Sequence, residues 1–140
     1  EVSKAEVSKD LIIQRWNGKT TPLKKSKVIE SICTSFYFDH ANIQGQEFTN
    51  NWCKKTGVSL EDVYSFQDNE DEIIGVEAPV WTELVVTDAM LDNRLWPRLI
   101  AVAEIGWSSS HNDFQDFSRR LKAHKGRLEA LKIDYYPLPE

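Results

Sequence analysis

The apolar residues between positions 11 and 81 cluster in three short runs separated by polar segments. The first run closes at Asn17-Gly18 and the second at Asp39-His40, which are turn-forming pairs. Short apolar runs bounded by such residues are typical of buried strands. Proline cannot donate to a sheet ladder, so we expect the third strand to end near Pro79. The predicted strands are residues 11–16, 28–38 and 73–81.

After the third run the apolar residues recur at spacings of three and four, which is the period of an amphipathic helix. This pattern predicts one helix near residues 95–108 and a second near residues 113–131, whose charged face we interpret as solvated. Trp96, Trp107 and His124 lie on the apolar stripes, and we predict that they pack in the core.

A long polar connection, residues 39–72, separates the second and third predicted strands. One short helix is predicted within it, because Ser59 is a suitable N-cap and Glu61 and Asp62 would lie in the first turn. The rest of the connection has the composition of a loop. Loops of this length are usually functional or disordered.

Strands that alternate with loops and helices indicate a parallel α/β arrangement. A closed TIM (β/α)8 barrel needs roughly 250 residues, so this chain could supply only about three of its eight units. Such a portion by itself would leave two strand edges open, and open edges favour association.

Charge and composition narrow the classes of partner. The net charge is −5 and the 17 basic residues are scattered, whereas a nucleic-acid groove needs positive charge on one face. No apolar run reaches about 18 residues, so we expect no membrane-spanning helix and no membrane partner. Cys33 and Cys53 lack metal-ligand spacing and are interpreted as buried apolar side chains, with a disulfide as the open alternative. We expect no metal ion and no cofactor.

Tryptophan is unusually frequent. Its indole ring serves hydrophobic cores, but its flat face also stacks on the C–H face of a pyranose, and its N–H remains available as a donor. The composition is therefore compatible with sugar recognition as well as with packing. The five tryptophans are Trp16, Trp52, Trp81, Trp96 and Trp107.

Several motifs, taken in order, resemble the C-terminal part of the catalytic barrel of family-20 β-N-acetylhexosaminidases. Residues 75–83, Gly-Val-Glu-Ala-Pro-Val-Trp-Thr-Glu, resemble the last barrel strand, and residues 95–108, which begin Leu-Trp-Pro-Arg, resemble the helix after it. Residues 117–128 resemble the closing helix. Residues 13–16 and 37–39 resemble the ends of the sixth and seventh strands. The resemblance covers residues 11 to 136.

The resemblance implies a secreted, cell-surface or lysosomal hydrolase that removes terminal β-linked N-acetylglucosamine or N-acetylgalactosamine. In that family the 2-acetamido oxygen of the sugar attacks the anomeric carbon, with retention of configuration. An Asp-Glu pair in a Gly-Gly-Asp-Glu-like motif orients the acetamido group and protonates the leaving oxygen. This chain lacks the motif. Its pairs Glu61-Asp62 and Asp71-Glu72 have neither the glycines nor a preceding strand, and we interpret them as solvated charges.

The polar site residues are transferred from the family one by one. Tyr37 resembles the tyrosine whose hydroxyl donates to the acetamido oxygen and so positions the nucleophile. Asp39 resembles the acid that binds the outer sugar hydroxyls, and Glu83 the carboxylate that holds the 3- and 4-hydroxyls. The alternatives are a packed aromatic for Tyr37 and a turn cap for Asp39.

The aromatic site residues follow the same resemblance. Trp81 resembles the tryptophan that forms the pocket floor and stacks on the sugar ring, and Trp16 resembles a further pocket wall. Trp52 lies in the long loop, where some bacterial members present a tryptophan to the aglycone sugar, and an anchor for the loop is an equal alternative. All six polar and aromatic site residues except Trp52 lie at or just past predicted strand ends, where barrel enzymes build their sites.

Three charged residues outside the predicted site are assigned structural roles. Glu77 lies inside the third predicted strand and would need a partner if buried, for which Arg98 is the candidate. Arg98 and Glu104 are interpreted as members of an ion-pair network behind the barrel.

The leading interpretation is thus a portion of an exo-acting hexosaminidase that contacts N-acetylhexosamine-containing glycans and the remainder of its barrel. A carbohydrate-binding module without a general acid is the first alternative, and a Gly-Gly-Asp-Glu segment upstream of the chain would exclude it. An independent α/β interaction domain is the second, and it predicts a monomer that melts cooperatively.

Overall fold

The computed structural model describes residues 10–18, 26–67, 73–108 and 113–140. Three parallel strands form one sheet, in which each strand is hydrogen-bonded to the next one along the chain. Ile13 lies beside Val28, which in turn lies beside Ile73, and the register shifts between Val28 and Ile29. The predicted parallel α/β arrangement is confirmed. The strands are β1 (Ile12–Arg15), β2 (Lys27–Glu30) and β3 (Ile73–Val76).

Short helices follow the strands, and a 3-10 turn, Lys122–His124, joins the last two of them. In the described part of the chain, none of the helices has the length and apolar character needed to cross a membrane. The helices are α1 (Cys33–Phe36), α2 (Leu60–Tyr64), α3 (Asp88–Leu95), α4 (Arg98–Trp107), α5 (Phe114–Leu121) and α6 (Lys125–Ala130).

The third strand ends at Val76 rather than near residue 81 as predicted. The second strand is also shorter than the predicted 28–38. It ends at Glu30, and the carbonyl of Ile32 then accepts from the N–H groups of Ser35 and Phe36, which closes the turn of α1. The apolar run continues past the strand because Phe36 and Phe38, which are fully buried, belong to the core. This apolar run therefore predicted the burial of its phenylalanines correctly but overestimated the length of the strand.

The predicted helix starts were partly correct. The short helix α2 begins as predicted: Ser59 Oγ accepts from the Asp62 N–H, and Asp62 Oδ2 accepts from the Ser59 N–H, which completes a capping box. The helix predicted near 95–108 is α4, which starts only after the Trp96–Pro97 peptide. The helix predicted near 113–131 is interrupted by the 3-10 turn.

Trp107 is not a core residue, which corrects the prediction. It is the last residue of α4 and is 92% exposed, whereas Trp96 is partly buried. The core lies between the sheet and the helices, and Val76 of β3 packs against it. Its fully buried members are Phe36, Phe38, Val58, Val63, Tyr64, Ala101, Phe117 and Leu121.

Arg98 is fully buried and binds backbone carbonyls rather than a carboxylate. Its guanidinium donates to the carbonyls of Phe38, His40, Val58 and Arg94 at 2.6–3.2 Å, and it lies 4.3 Å from the Phe38 ring centroid. Burial lowers the pKa of Arg98 to about 9, so the group keeps its charge at neutral pH. Arg98 thus fastens α4 to the segment that follows α1.

The predicted partners of Arg98 are therefore wrong. Glu77 is exposed just beyond β3 and accepts from Gln14 Nε2 at 3.1 Å, so it needs no buried cation. Glu104 pairs with Arg120 at 2.6 Å and also accepts from the Tyr64 hydroxyl at 2.8 Å. Glu77 is thus satisfied by an amide donor, and Glu104 by Arg120 and Tyr64, without a contribution from Arg98.

The buried phenol of Tyr64 makes the stability of the protein sensitive to alkaline pH. Burial, followed by the hydrogen bond to Glu104 and the charge of Glu104, raises the pKa of Tyr64 from 10.0 to about 12. A raised pKa in the folded state stabilises the fold fully below pH 10, and this contribution is lost as the pH rises to about 12. We expect the difference in unfolding free energy between the wild type and Tyr64→Phe to shrink across that interval.

Denaturant titrations at several pH values measure this difference. Tyr135→Phe is the matched control, because Tyr135 lies in the C-terminal segment and is not a member of the Tyr64–Glu104 hydrogen bond. If the difference in unfolding free energy between the wild type and Tyr64→Phe stayed constant up to pH 12, the assignment would be contradicted.

Candidate active-site cleft

An open cleft of about 440 Å³ lies beyond the C-terminal ends of the strands. Trp16 directly follows β1, Tyr37 directly follows α1, and Trp81 and Glu83 come after β3. Parallel strands bring such residues to one edge of the sheet. Five of the six predicted site residues line the cleft. The lining residues are Gln14, Trp16, Tyr37, Asn50, Trp52, Trp81 and Glu83.

Aromatic rings form most of the cleft. Trp52 lies edge-on to Trp16 and Tyr37, with ring centroids 5.9 and 5.6 Å apart. Trp16, Trp52 and Trp81 remain 39%, 48% and 55% exposed, so each presents part of its ring to the solvent. A concave, mostly apolar surface with a few convergent polar groups is the usual form of a small-molecule site.

Tyr37 lines this cleft with a hydroxyl that stays protonated at neutral pH. Burial raises the pKa of its hydroxyl, and the negative charges of Asp39 and Glu77 raise it further, while a hydrogen bond with the Trp81 side chain acts in the opposite direction. The backbone next to Tyr37 is fixed by the Phe38 N–H, which donates to the Pro79 carbonyl at 2.9 Å. That bond ties the segment after α1 to the segment after β3 and brings Tyr37 and Trp81 together.

Asp39, the sixth predicted residue, is buried and does not line the cleft. Both carboxylate oxygens lack a hydrogen-bond partner among the described residues. Oδ2 lies 3.7 Å from His40 Nδ1, and the carboxylate acts electrostatically on Tyr37 and Arg94. Buried carboxylates normally accept hydrogen bonds, so donors from outside the described residues are expected at these two oxygens.

Sequence reasoning missed two lining residues, Gln14 and Asn50. Gln14 lies two residues before Trp16, and alternate residues of an extended segment share a face, so this period was a usable signal. Its Nε2 also donates to Ser31 Oγ at 3.2 Å. Asn50 carried no comparable signal, because it enters the cleft through the path of a loop.

A disulfide joins Cys33 of α1 to Cys53 of the long loop, which corrects the interpretation of these cysteines as separate apolar side chains. The loop closes at Gly57, whose φ is +84°. A Cβ atom there would lie 2.5 Å from the Ala41 carbonyl oxygen, so only glycine fits this close approach.

The described residues contain no cluster of three or more histidine, cysteine or acidic side chains that could hold a metal ion. Glu61 and Asp62 lie in the first turn of α2, where Asp62 caps the helix and pairs with Lys54 at 2.5 Å. Asp71-Glu72 lies outside the described residues. No neighbouring pair of acids therefore lines the cleft in the part of the chain that the structure covers.

Residues 1–110 match the glycosyl hydrolase family 20 catalytic domain. The chain is 27% identical over 155 residues to a beta-hexosaminidase of Porphyromonas gingivalis, covering all of this chain and 20% of that protein. It is 33% identical over 142 residues to human beta-hexosaminidase subunit beta, covering 96% of this chain and 24% of the human protein.

The same similarity holds in three dimensions. The family-20 β-N-acetylhexosaminidase of Streptomyces coelicolor A3(2) superimposes with a TM-score of 0.84 at 26% sequence identity. The match covers 99% of this chain and 32% of that structure. The chain thus spans between a fifth and a third of the length of these relatives.

Proposed function

This chain belongs to glycosyl hydrolase family 20, and we propose that it forms the C-terminal part, about the last three β/α units, of a (β/α)8 catalytic barrel. The whole barrel removes terminal β-linked N-acetylglucosamine or N-acetylgalactosamine from glycans, with retention at the anomeric carbon. Residues 1–140 supply one side of the sugar pocket. The observation that carries this proposal is the convergence of Trp16, Tyr37, Trp52, Trp81 and Glu83 around one cleft.

The uncovered surfaces of the chain support a place within a larger barrel. Ile12 and Ile74 on the sheet are 57% and 50% exposed, and Trp107 is almost fully exposed. Parallel sheets are normally covered on both faces, and β1 and β3 each have a free edge in the described sheet. The remaining strands and helices of the barrel would cover these groups.

Tyr37 positions the nucleophile in this scheme. The 2-acetamido oxygen of the substrate attacks its own anomeric carbon, and the hydroxyl of Tyr37 donates to that oxygen and holds it in line. The raised pKa of Tyr37 keeps its proton in place through neutral pH. Trp81, which lines the same cleft as Tyr37, stacks on the sugar ring.

The remaining residues select the sugar. Glu83 binds the 3- and 4-hydroxyls, and Asp39 offers its two free acceptor atoms to the outer hydroxyls. Trp16 forms a wall beside the ring, and Trp52 forms the side that receives the aglycone. The general acid and its partner aspartate come from another part of the barrel, since the cleft lacks a paired set among the described residues.

Hydrolysis by the full-length protein tests this function, and Glu83 offers a specific variant. We expect the full-length protein to release N-acetylglucosamine from N,N′-diacetylchitobiose. We expect Glu83→Gln to lower kcat/KM by about 30-fold, because a charged acceptor for two hydroxyls becomes neutral. The measurement is steady-state kinetics on the disaccharide.

Glu61→Gln is the matched control, because Glu61 is an exposed acid of α2 that does not line the cleft, and its kcat/KM should equal that of the wild type. The isolated 140-residue chain should show no hydrolysis above background. Saturable sugar binding by a full-length protein that hydrolyses nothing would reject catalysis and favour a carbohydrate-binding role.

A further inference from the structure

We propose that His40 and the Cys33–Cys53 disulfide act together as positioning groups that fix Trp52, and thereby set the affinity of the enzyme for the aglycone sugar. We call these three residues the Trp52 clasp. The proposal rests on the function proposed above and identifies what controls one part of that site.

Trp52 lies in a segment without helix or strand, and its neighbours attach to the backbone after α1 at several points. The Asn50 N–H donates to the Asp39 carbonyl at 3.3 Å, and Asn51 Oδ1 accepts from the Ala41 N–H at 2.9 Å. The Cys53 N–H donates to His40 Nε2 at 3.1 Å. The disulfide adds a covalent attachment at the same residue, Cys53.

The His40 ring is the centre of this arrangement. It is fully buried, and its centroid lies 5.4 Å from that of Trp52. Because Nε2 accepts from Cys53, the proton of the neutral ring lies on Nδ1. Nδ1 is the nitrogen that faces Asp39, at 3.7 Å from Oδ2. One imidazole therefore contacts the Trp52 side of the cleft with one nitrogen and faces the proposed hydroxyl-binding carboxylate with the other.

The disulfide connects the same loop to the protein core. Cys33 is 3% exposed and begins α1, whose last residue, Phe36, is a fully buried core residue. Trp52 is itself 48% exposed and contacts its neighbours through its ring. Its position is therefore set by the backbone on either side and by the rings of Trp16, Tyr37 and His40.

Tyr37 does not depend on the clasp to the same degree. Its backbone is held by core residues Phe36 and Phe38 and by the bond from Phe38 to Pro79. Loss of the clasp should therefore displace Trp52 more than Tyr37. The consequence is selective: binding of the terminal sugar should persist while binding of the aglycone sugar weakens.

Two substitutions at His40 separate these effects. In His40→Gln the side-chain amide reaches the place of Nε2 and can still accept from the Cys53 N–H. In His40→Asn the shorter amide replaces Nδ1 beside Asp39 and leaves Cys53 without its acceptor. The measured quantity is the KM for N,N′-diacetylchitobiose divided by the inhibition constant of free N-acetylglucosamine, which has no aglycone.

We expect His40→Asn to raise this ratio about fivefold, the usual effect of one lost hydrogen bond, and His40→Gln to leave it within about twofold. His124→Gln is the matched control, because His124 lies in the 3-10 turn and does not line the cleft, and its ratio should be unchanged. An unchanged ratio in His40→Asn, or equal increases in the two His40 variants, overturns the proposal.

The disulfide allows a second test, which does not depend on whether the His40 variants fold. The wild-type protein treated with excess dithiothreitol, and the double variant Cys33→Ser/Cys53→Ser, should both show the raised ratio. An unchanged ratio in the reduced wild type counts against the clasp. If the full-length protein hydrolyses nothing, the proposed function fails, and calorimetric affinities for the disaccharide and the monosaccharide still measure the same ratio.

Discussion

Replacing Tyr37 with phenylalanine is expected to lower kcat of the full-length enzyme about 100-fold while changing KM little. The substitution removes one hydroxyl and keeps the ring that packs against Trp52. That hydroxyl is proposed to align the acetamido oxygen, an interaction that matters most as the oxygen attacks. The loss should therefore fall on the chemical step rather than on substrate affinity. Steady-state kinetics on N,N′-diacetylchitobiose measure both constants.

Tyr136→Phe is the control for this experiment, because Tyr136 belongs to the C-terminal segment and contacts Trp96 through its backbone N–H. Burial and the nearby acids raise the pKa of Tyr37 above 10.0, so the wild-type kcat should show no loss from ionisation of Tyr37 at neutral pH. A Tyr37→Phe enzyme with an unchanged kcat would show that the hydroxyl only packs against the rim of the cleft.

Replacing Arg98 with methionine is expected to lower the free energy of unfolding by about 4 kcal/mol. Methionine fills a similar volume but donates nothing, so the carbonyls of Phe38, His40 and Val58 lose a buried donor. The free-energy cost of leaving several buried acceptors unpaired exceeds the stabilisation gained by removing the desolvated charge. Thermal and chemical denaturation of the full-length protein measure the loss, and activity should fall with it because Arg98 holds the segment that carries Asp39.

Arg127→Met is the matched control, because Arg127 is an exposed residue of α6. Its effect should stay within about 0.5 kcal/mol. Arg98→Lys keeps the charge but cannot bridge four carbonyls, so an intermediate loss is expected. Stability of Arg98→Met equal to that of Arg127→Met would mean that the buried bonds of Arg98 contribute nothing net.

Local patterns predicted the local features correctly. The apolar runs identified β1, β2 and β3, and the order Ser59, Glu61, Asp62 identified the start of α2. The five site residues that line the cleft came from the family resemblance, and all of them except Trp52 were expected at strand ends, because parallel strands share their C-terminal edge. The strands and the helix start depend on chain neighbours or on the alternation of a strand, and such information is contained in the sequence itself.

The features that the sequence left undecided depend on contacts between distant segments. Hydrophobic character predicted that Trp107 is buried, but the described residues leave it at the exposed end of α4. The charge of Arg98 suggested an acidic partner, yet the fold surrounds it with carbonyl groups that any residue type could supply. The same holds for the Cys33–Cys53 pairing and for the placement of Asp39 behind the cleft lining.

The sequence by itself therefore determined the family, the parallel α/β arrangement and most of the residues that face the cleft. Only the tertiary structure decided which side chains support them, namely His40, the disulfide and Arg98. The physical reason is that a backbone carbonyl, a buried imidazole and a second cysteine become partners only when the chain folds them within hydrogen-bonding or bonding distance. No periodicity or spacing along the chain encodes that distance.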